Sequence, residues 1–179
     1  MKLILVLFLT IATFAPNLSW AQQTQDVKRL PFASELNANV KHYNRASSKH
    51  ATSGTPSSGA FKELAKKGVK TFIDLRTQDD VTIAAGMEVE AAGATYYNIP
   101  VFGAEGISKE QVDEFGKIYE QADGLIMVNC GSGNRVGALW AAYQMSNGVS
   151  HAVAIEEGRT AGMKASLEKD VTSKFCTEC

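Results

Sequence analysis

The stretch Leu125-Ile126-Met127-Val128-Asn129-Cys130-Gly131-Ser132-Gly133-Asn134-Arg135 decides how this chain is read. Its first four residues are an unbroken apolar run, the pattern of a strand buried on both faces. Its last six combine small residues with one cysteine and one arginine. Beyond them Val136, Leu139, Trp140 and Tyr143 recur at helical spacing as far as Gly148. The order is therefore strand, glycine-rich turn, helix.

Three physical features meet at that turn. Small residues let the backbone curl so that successive N–H groups point inward, making a nest for an anion. The helix that follows directs its N-terminal partial positive charge at the same point. Arg135 supplies a planar fork that matches two oxygens of a phosphate-like group. That field favours the thiolate form of Cys130, and a thiolate beneath a bound oxyanion is placed for nucleophilic attack. Cys130 and Arg135 are the candidate catalytic residues, and Gly131, Ser132, Gly133, Asn134 and Arg135 the candidate binding cradle. The plainer alternative is a strand–turn–helix junction with a structural cysteine and a surface arginine.

Outward from this turn, strands and helices alternate. Val69 to Leu75 is rich in β-branched and aromatic residues and reads as a central strand, and Tyr96 to Ile99 as another, ended by Pro100. Asp79 to Ala92 reads as a helix stopped by Gly93. Ser108 with Gln111 matches a capping box, and Val112, Phe115 and Tyr119 share one face of the helix it opens. Thr55-Pro56 is expected to open a helix that Gly68 closes. Val40 to Ser53 lacks a helical period and is expected to form short edge strands, and Ser150 is expected to cap a last helix through Ala161. The pattern predicts a three-layer α/β domain whose central, largely parallel sheet is flanked by helices. Ligands of such sheets bind beyond the carboxyl ends of the strands, where Cys130 lies.

The ends of the chain read differently. Lys2 precedes an apolar core from Leu3 to Ala15, and Ser19-Trp20-Ala21 offers small residues at a cleavage site. The core is shorter than the roughly 20 apolar residues of a transmembrane helix, so residues 1–21 read as a signal peptide of an exported, periplasmic or secreted, protein. An uncleaved anchor and a buried N-terminal helix are the alternatives. Removal of residues 1–21 leaves 158 residues, one domain's worth, and moves the formal charge from -1 to -2. That balance gives no electrostatic case for nucleic acid or a membrane surface, and none for stable membrane insertion after signal cleavage. Residues 22–38 read as an extended leader, 39–170 as the domain, and 171–179 as a C-terminal tail.

That tail carries Cys176 and Cys179 as a C-x-x-C. A tail disulfide, a redox pair able to exchange with Cys130, and half of a metal site are its three readings, the last lacking a second ligand pair. His42, His50 and His151 show no metal-ligand spacing. No metal or organic cofactor is implied.

The chain resembles the dual-specificity and tyrosine phosphatase superfamily, and more closely the phosphatase-like domain called beta-lactamase hydrolase-like. The likeness spans about residues 38–165. It rests on Ala51-Thr52-Ser53-Gly54-Thr55-Pro56, Phe72-Ile73-Asp74-Leu75-Arg76, Tyr97-Asn98-Ile99-Pro100-Val101, Cys130 to Arg135, and Gly148-Val149-Ser150 with Ala154 to Arg159. The resemblance implies a cysteine phosphatase-like fold and a phosphocysteine mechanism, with Cys130 as nucleophile, Arg135 as phosphoryl clamp and a phosphate ester or other oxyanion as substrate. It also implies a proton donor in the loop Val101 to Gly106, whose only carboxyl group is Glu105; Asp79 and Asp80 are weaker candidates. The chain departs from the wider superfamily at four points: four residues rather than five between Cys130 and Arg135, Asn129 in place of histidine, Val136 in place of a hydroxyl residue, and no aspartate in the loop. The short spacing is shared with rhodaneses, so a persulfide-carrying sulfurtransferase is one alternative. A non-catalytic oxyanion-binding module is the other.

Overall fold

A computed structural model describes residues 29–102 and 106–179. The apolar leader 1–21 lies outside the described residues. Five strands, β1 (Asn44–Arg45), β2 (His50–Ser53), β3 (Val69–Asp74), β4 (Thr95–Asn98) and β5 (Leu125–Asn129), form one sheet in the order β1-β2-β5-β3-β4. Only β1 runs antiparallel to its neighbour; every other pairing is parallel. The helices are α1 (Ala60–Lys66), α2 (Asp80–Ala91), α3 (Lys109–Gln121), α4 (Asn134–Ser146), α5 (His151–Thr160) and α6 (Ala165–Phe175).

Alternation along the central strands sorts the core into two faces. Phe72, Leu125 and Met127 pack with Phe61 and Leu64 of α1 and Val89 of α2. Ile73, Ile126 and Val128 pack with α3, α4, α5 and α6. The result is the expected three-layer arrangement, helices covering both faces of a largely parallel sheet. Among the described residues no helix is long and apolar enough to cross a membrane.

Local signals placed most boundaries. Asp79 caps α2 by accepting from Thr82 N at 2.8 Å. Ser108 and Gln111 exchange both capping-box bonds at the start of α3. Three expectations are corrected. Thr55-Pro56 does not open α1, which starts at Ala60 behind a left-handed Gly59; Thr55 is instead bonded to Gly131, far along the chain. The segment His50–Ser53 is no edge strand but lies fully buried between β1 and β5. Its polar residues find partners: Thr52 Oγ1 donates to Ala161 O at 2.8 Å. Finally, α5 is followed by α6, on which Val171 is fully buried. Leu30, in the segment read as a leader, is also fully buried.

Helix α4, which carries the site's first turn, is buried along most of its length and crosses α5 with glycine against glycine. A Cβ on Gly137 would collide with Met163 N and Gly158 O and lie 2.8 Å from Met163 Cα. These are backbone atoms, so the crossing cannot yield cheaply. Gly137→Ala is expected to destabilise the fold by about 3 kcal/mol. Gly59→Ala meets nothing within 4 Å and is expected to cost about 1 kcal/mol through its positive φ alone. Denaturant unfolding of the two variants checks the difference; equal losses would contradict tight packing at the crossing.

His50 is a buried titratable group beside α3 and α4. Its ring lies 4.2 Å from Trp140, Nδ1 is 2.9 Å from Ser47 Oγ, and Nε2 has no partner among the described residues. Burial lowers its pKa from 6.5 to about 4. Between these values the unfolded chain binds a proton that the folded chain refuses, so stability rises with pH. The contribution is complete above pH 6.5 and is lost as pH falls to about 4, at about 1.4 kcal/mol per pH unit. Unfolding at pH 7 and pH 4.5 should show a smaller fall for His50→Phe than for the parent chain. Equal falls would exclude His50 as the source.

Candidate active site

Strand β5 ends at Asn129, and the chain turns through residues 130–133 before α4 begins. Cys130 is a fully buried free thiol whose Sγ accepts from Gly133 N–H at 3.1 Å. Gly133, the N-cap of α4, has φ 86°, a setting that disfavours a Cβ. This turn swings the Gly133 N–H back over the sulfur and aims the N-terminus of α4 at the same point. Sulfur, backbone donor and helix end thus converge, as the local sequence requires.

The wall of the turn comes from the segment after β2. Cys130 N donates to Ser53 O at 3.2 Å and Thr55 N to Gly131 O at 3.2 Å, while Gly54 and Ser132 form an antiparallel bridge. Close approach at Gly54 needs a glycine: a Cβ there would stand 3.2 Å from Gly131 O. Ser132 therefore holds the loop through its backbone, and its hydroxyl makes no hydrogen bond among the described residues.

Arg135 is anchored along one edge only. Its Nη1 donates to Leu75 O at 3.1 Å and also to Val101 O, the carbonyls just beyond β3 and β4. Nη2 lies beside Gly131, 3.5 Å from where a Cβ on that residue would stand. Nε and Nη2 have no partner among the described residues. The guanidinium thus spans the ends of two strands through Nη1 while Nη2 lies at the turn, an arrangement suited to an oxyanion fork.

Behind the turn lies a row of polar groups in register, Ser53, Asn129 and Asp74. Fully buried Asp74 holds Arg76 by Nε at 3.0 Å to both oxygens and by Nη2 at 2.6 Å, and accepts from Tyr96 Oη at 3.0 Å. The bond to Asp74 raises the pKa of Arg76, and burial raises that of Tyr96. Asn98 Nδ2 donates to Asp74 O and Arg76 O, both at 2.8 Å. Asp74 and Arg76 are thus scaffold, fixing the corner from which Leu75 O meets Arg135. The buried Asn129 side chain has no partner for either amide atom among the described residues.

The other sequence candidates separate from this turn. Glu105 lies outside the described residues. Asp79 is exposed at the α2 N-cap, where the Thr82 N–H lowers its pKa; it is a helix-start carboxylate, as is Asp80 by its place on the first turn. His151 pairs with Thr172 Oγ1 at 2.9 Å and His42 is exposed. Cys176 and Cys179 are joined in a disulfide at the end of α6. Sequence reading missed the roles of Thr55 and Asn98, whose only signal was their place near a strand's end, Thr55 past β2 and Asn98 at the last position of β4.

Comparison with known proteins follows this geometry. A family model described as "DSP-PTPase phosphatase fused to NAD+ Kinase" matches residues 22–174. The beta-lactamase hydrolase-like protein of Xylella fastidiosa is 28% identical over 103 residues, 55% of this chain and 24% of that protein. This chain therefore spans about a quarter of that relative's length. Among solved structures, Tk-PTP in its active form gives a TM-score of 0.63 at 20% identity, covering 76% of this chain and 97% of the other. Pseudomonas aeruginosa TpbA in complex with pTyr gives 0.59 at 18% identity, covering 82% and 92%. These two likenesses establish the fold.

Proposed function

This chain belongs to the family described as DSP-PTPase phosphatase fused to NAD+ kinase, and from that premise we propose that it hydrolyses phosphomonoesters through a phosphocysteine on Cys130. The observation that carries this reading is the convergence of Cys130 Sγ, the Gly133 N–H and the partly free Arg135 fork on one turn. The backbone N–H groups of residues 131–135 and the Arg135 fork hold the phosphoryl oxygens and stabilise the charge that spreads over them in the transition state. The Cys130 thiolate attacks phosphorus; the P–S bond forms as the ester P–O bond breaks. Glu105 gives its proton to the leaving oxygen and then takes one from the water that attacks the phosphocysteine. That second step breaks the P–S bond and returns the thiolate with inorganic phosphate.

The reading includes a place of action outside the cytoplasm. It is supported by the sequence of residues 1–21 and by the Cys176–Cys179 disulfide, a bond that persists in oxidising compartments. A family of phosphatases weighs against the rhodanese-like alternative. The test is a paired assay of residues 22–179 for release of phosphate from an aryl phosphate and for sulfur transfer from thiosulfate. Steady phosphate release without sulfur transfer is the expected result. The reverse would assign the chain to persulfide chemistry.

A further inference from the structure

Helix α6 touches both loops that the proposed chemistry uses. At its start, Lys164 N donates to Asn134 Oδ1 at 2.7 Å, and Asn134 Nδ2 donates to Ser166 Oγ at 3.4 Å. Farther along, Asp170 Oδ1 pairs with Lys174 Nζ at 2.9 Å. The Asp170 carboxyl group also lies against Gly106: a Cβ there would be 2.9 Å from Cγ and would collide with Oδ2. Lys174 Nζ reaches Ile107 O at 3.5 Å. Ser166, Asp170 and Lys174 follow one another at four-residue steps and so share one helix face. That face runs from the anion-binding turn to the far end of the loop joining β4 to α3.

The near end of the same loop is tied to the turn by Arg135, through Val101 O. The loop is therefore fixed at both ends, by Arg135 at Val101 and by α6 at Gly106 and Ile107. Gly106 has φ 68° and is buried, so its backbone lies flat on the Asp170 carboxyl group where no side chain fits. The opposite side of α6 is held separately, by Glu168 on Arg159 of α5 at 2.8 Å. The two sides of the helix can thus be tested one at a time.

We propose that α6 is a strut that sets the distance between the anion-binding turn and the β4–α3 loop, with Asp170 as its positioning residue. This rests on the phosphatase reading, in which that loop supplies the proton donor. A strut of this kind matters most when the leaving oxygen needs a proton. An aryl phosphate with an acidic leaving group depends little on the donor, whereas an alkyl phosphate depends on it heavily.

The experiment compares the parent chain with Asp170→Ala, Asp170→Asn and Glu168→Ala by hydrogen exchange and by kcat on one aryl and one alkyl phosphate. Asp170→Ala should speed amide exchange at residues 106–108 and lower kcat on the alkyl ester about tenfold more than on the aryl ester. KM and inhibition by inorganic phosphate should stay unchanged. Glu168→Ala should leave both the exchange at 106–108 and the ratio of the two kcat values as they were. If Asp170→Ala fails to fold, the nearly isosteric Asp170→Asn must show the same kcat split in smaller measure. Unchanged exchange at 106–108, or equal losses on both esters, would overturn the strut. An inactive parent chain would instead overturn the phosphatase reading, and with it the catalytic role given to Asp170, while exchange would still report the contact itself.

Discussion

Replacing Cys130 with serine is expected to abolish phosphate release, lowering kcat by about 10⁴-fold or more, because the covalent step loses its nucleophile. The substitution is small and the site can accept it. Cys130 is fully buried, and its sulfur touches the Gly133 N–H that a serine oxygen can also accept. Binding of inorganic phosphate should therefore survive, since the backbone donors and Arg135 remain. Lost turnover with retained binding separates a nucleophile from a structural cysteine, whose replacement would weaken both together with the fold.

Arg135→Ala is expected to lower kcat/KM by about 10³-fold, the scale of an arginine that stabilises a transferring phosphoryl group. A second loss should accompany it. Leu75 O and Val101 O each lose their Arg135 donor, and the two residues are fully buried. The expected cost is about 2 kcal/mol of stability. Arg135→Lys separates the two effects: its ammonium can serve a carbonyl but cannot both anchor there and present a planar fork. It should recover stability without recovering activity. A lysine variant with near-parental kcat/KM would show that charge alone, rather than the fork, is what the site needs.

Much of this arrangement was legible where local sequence and fold agree. The apolar run before Asn129 could serve only as a buried strand, and the glycines after Cys130 only as a tight turn. Ser108 with Gln111 announced the start of α3 through bonds made within four residues. What sequence reading missed is non-local. Thr55 has the chemistry of a helix cap, but its N–H is bonded to Gly131 O, just beyond the end of the neighbouring strand β5. The strand His50–Ser53 reads as polar because its partners, Ser47 Oγ and Ala161 O, are supplied by turns outside it. The anchoring of Arg135 to Leu75 and Val101 has no sequence pattern, since two separate strand ends must meet to make it. Helix α6 hid for a related reason: Val171 is its only fully buried residue, and Leu167 and Phe175 pack against the core only in part.

The covalent intermediate offers the most direct test of the proposed chemistry. The parent chain, mixed with an aryl phosphate and quenched in acid within the first turnover, is digested and its peptides weighed. A phosphoryl group on the peptide that contains Cys130, absent from Cys130→Ser, is the predicted result. Turnover that proceeds with Cys130 unmodified, or with the phosphoryl group on another residue, would contradict it.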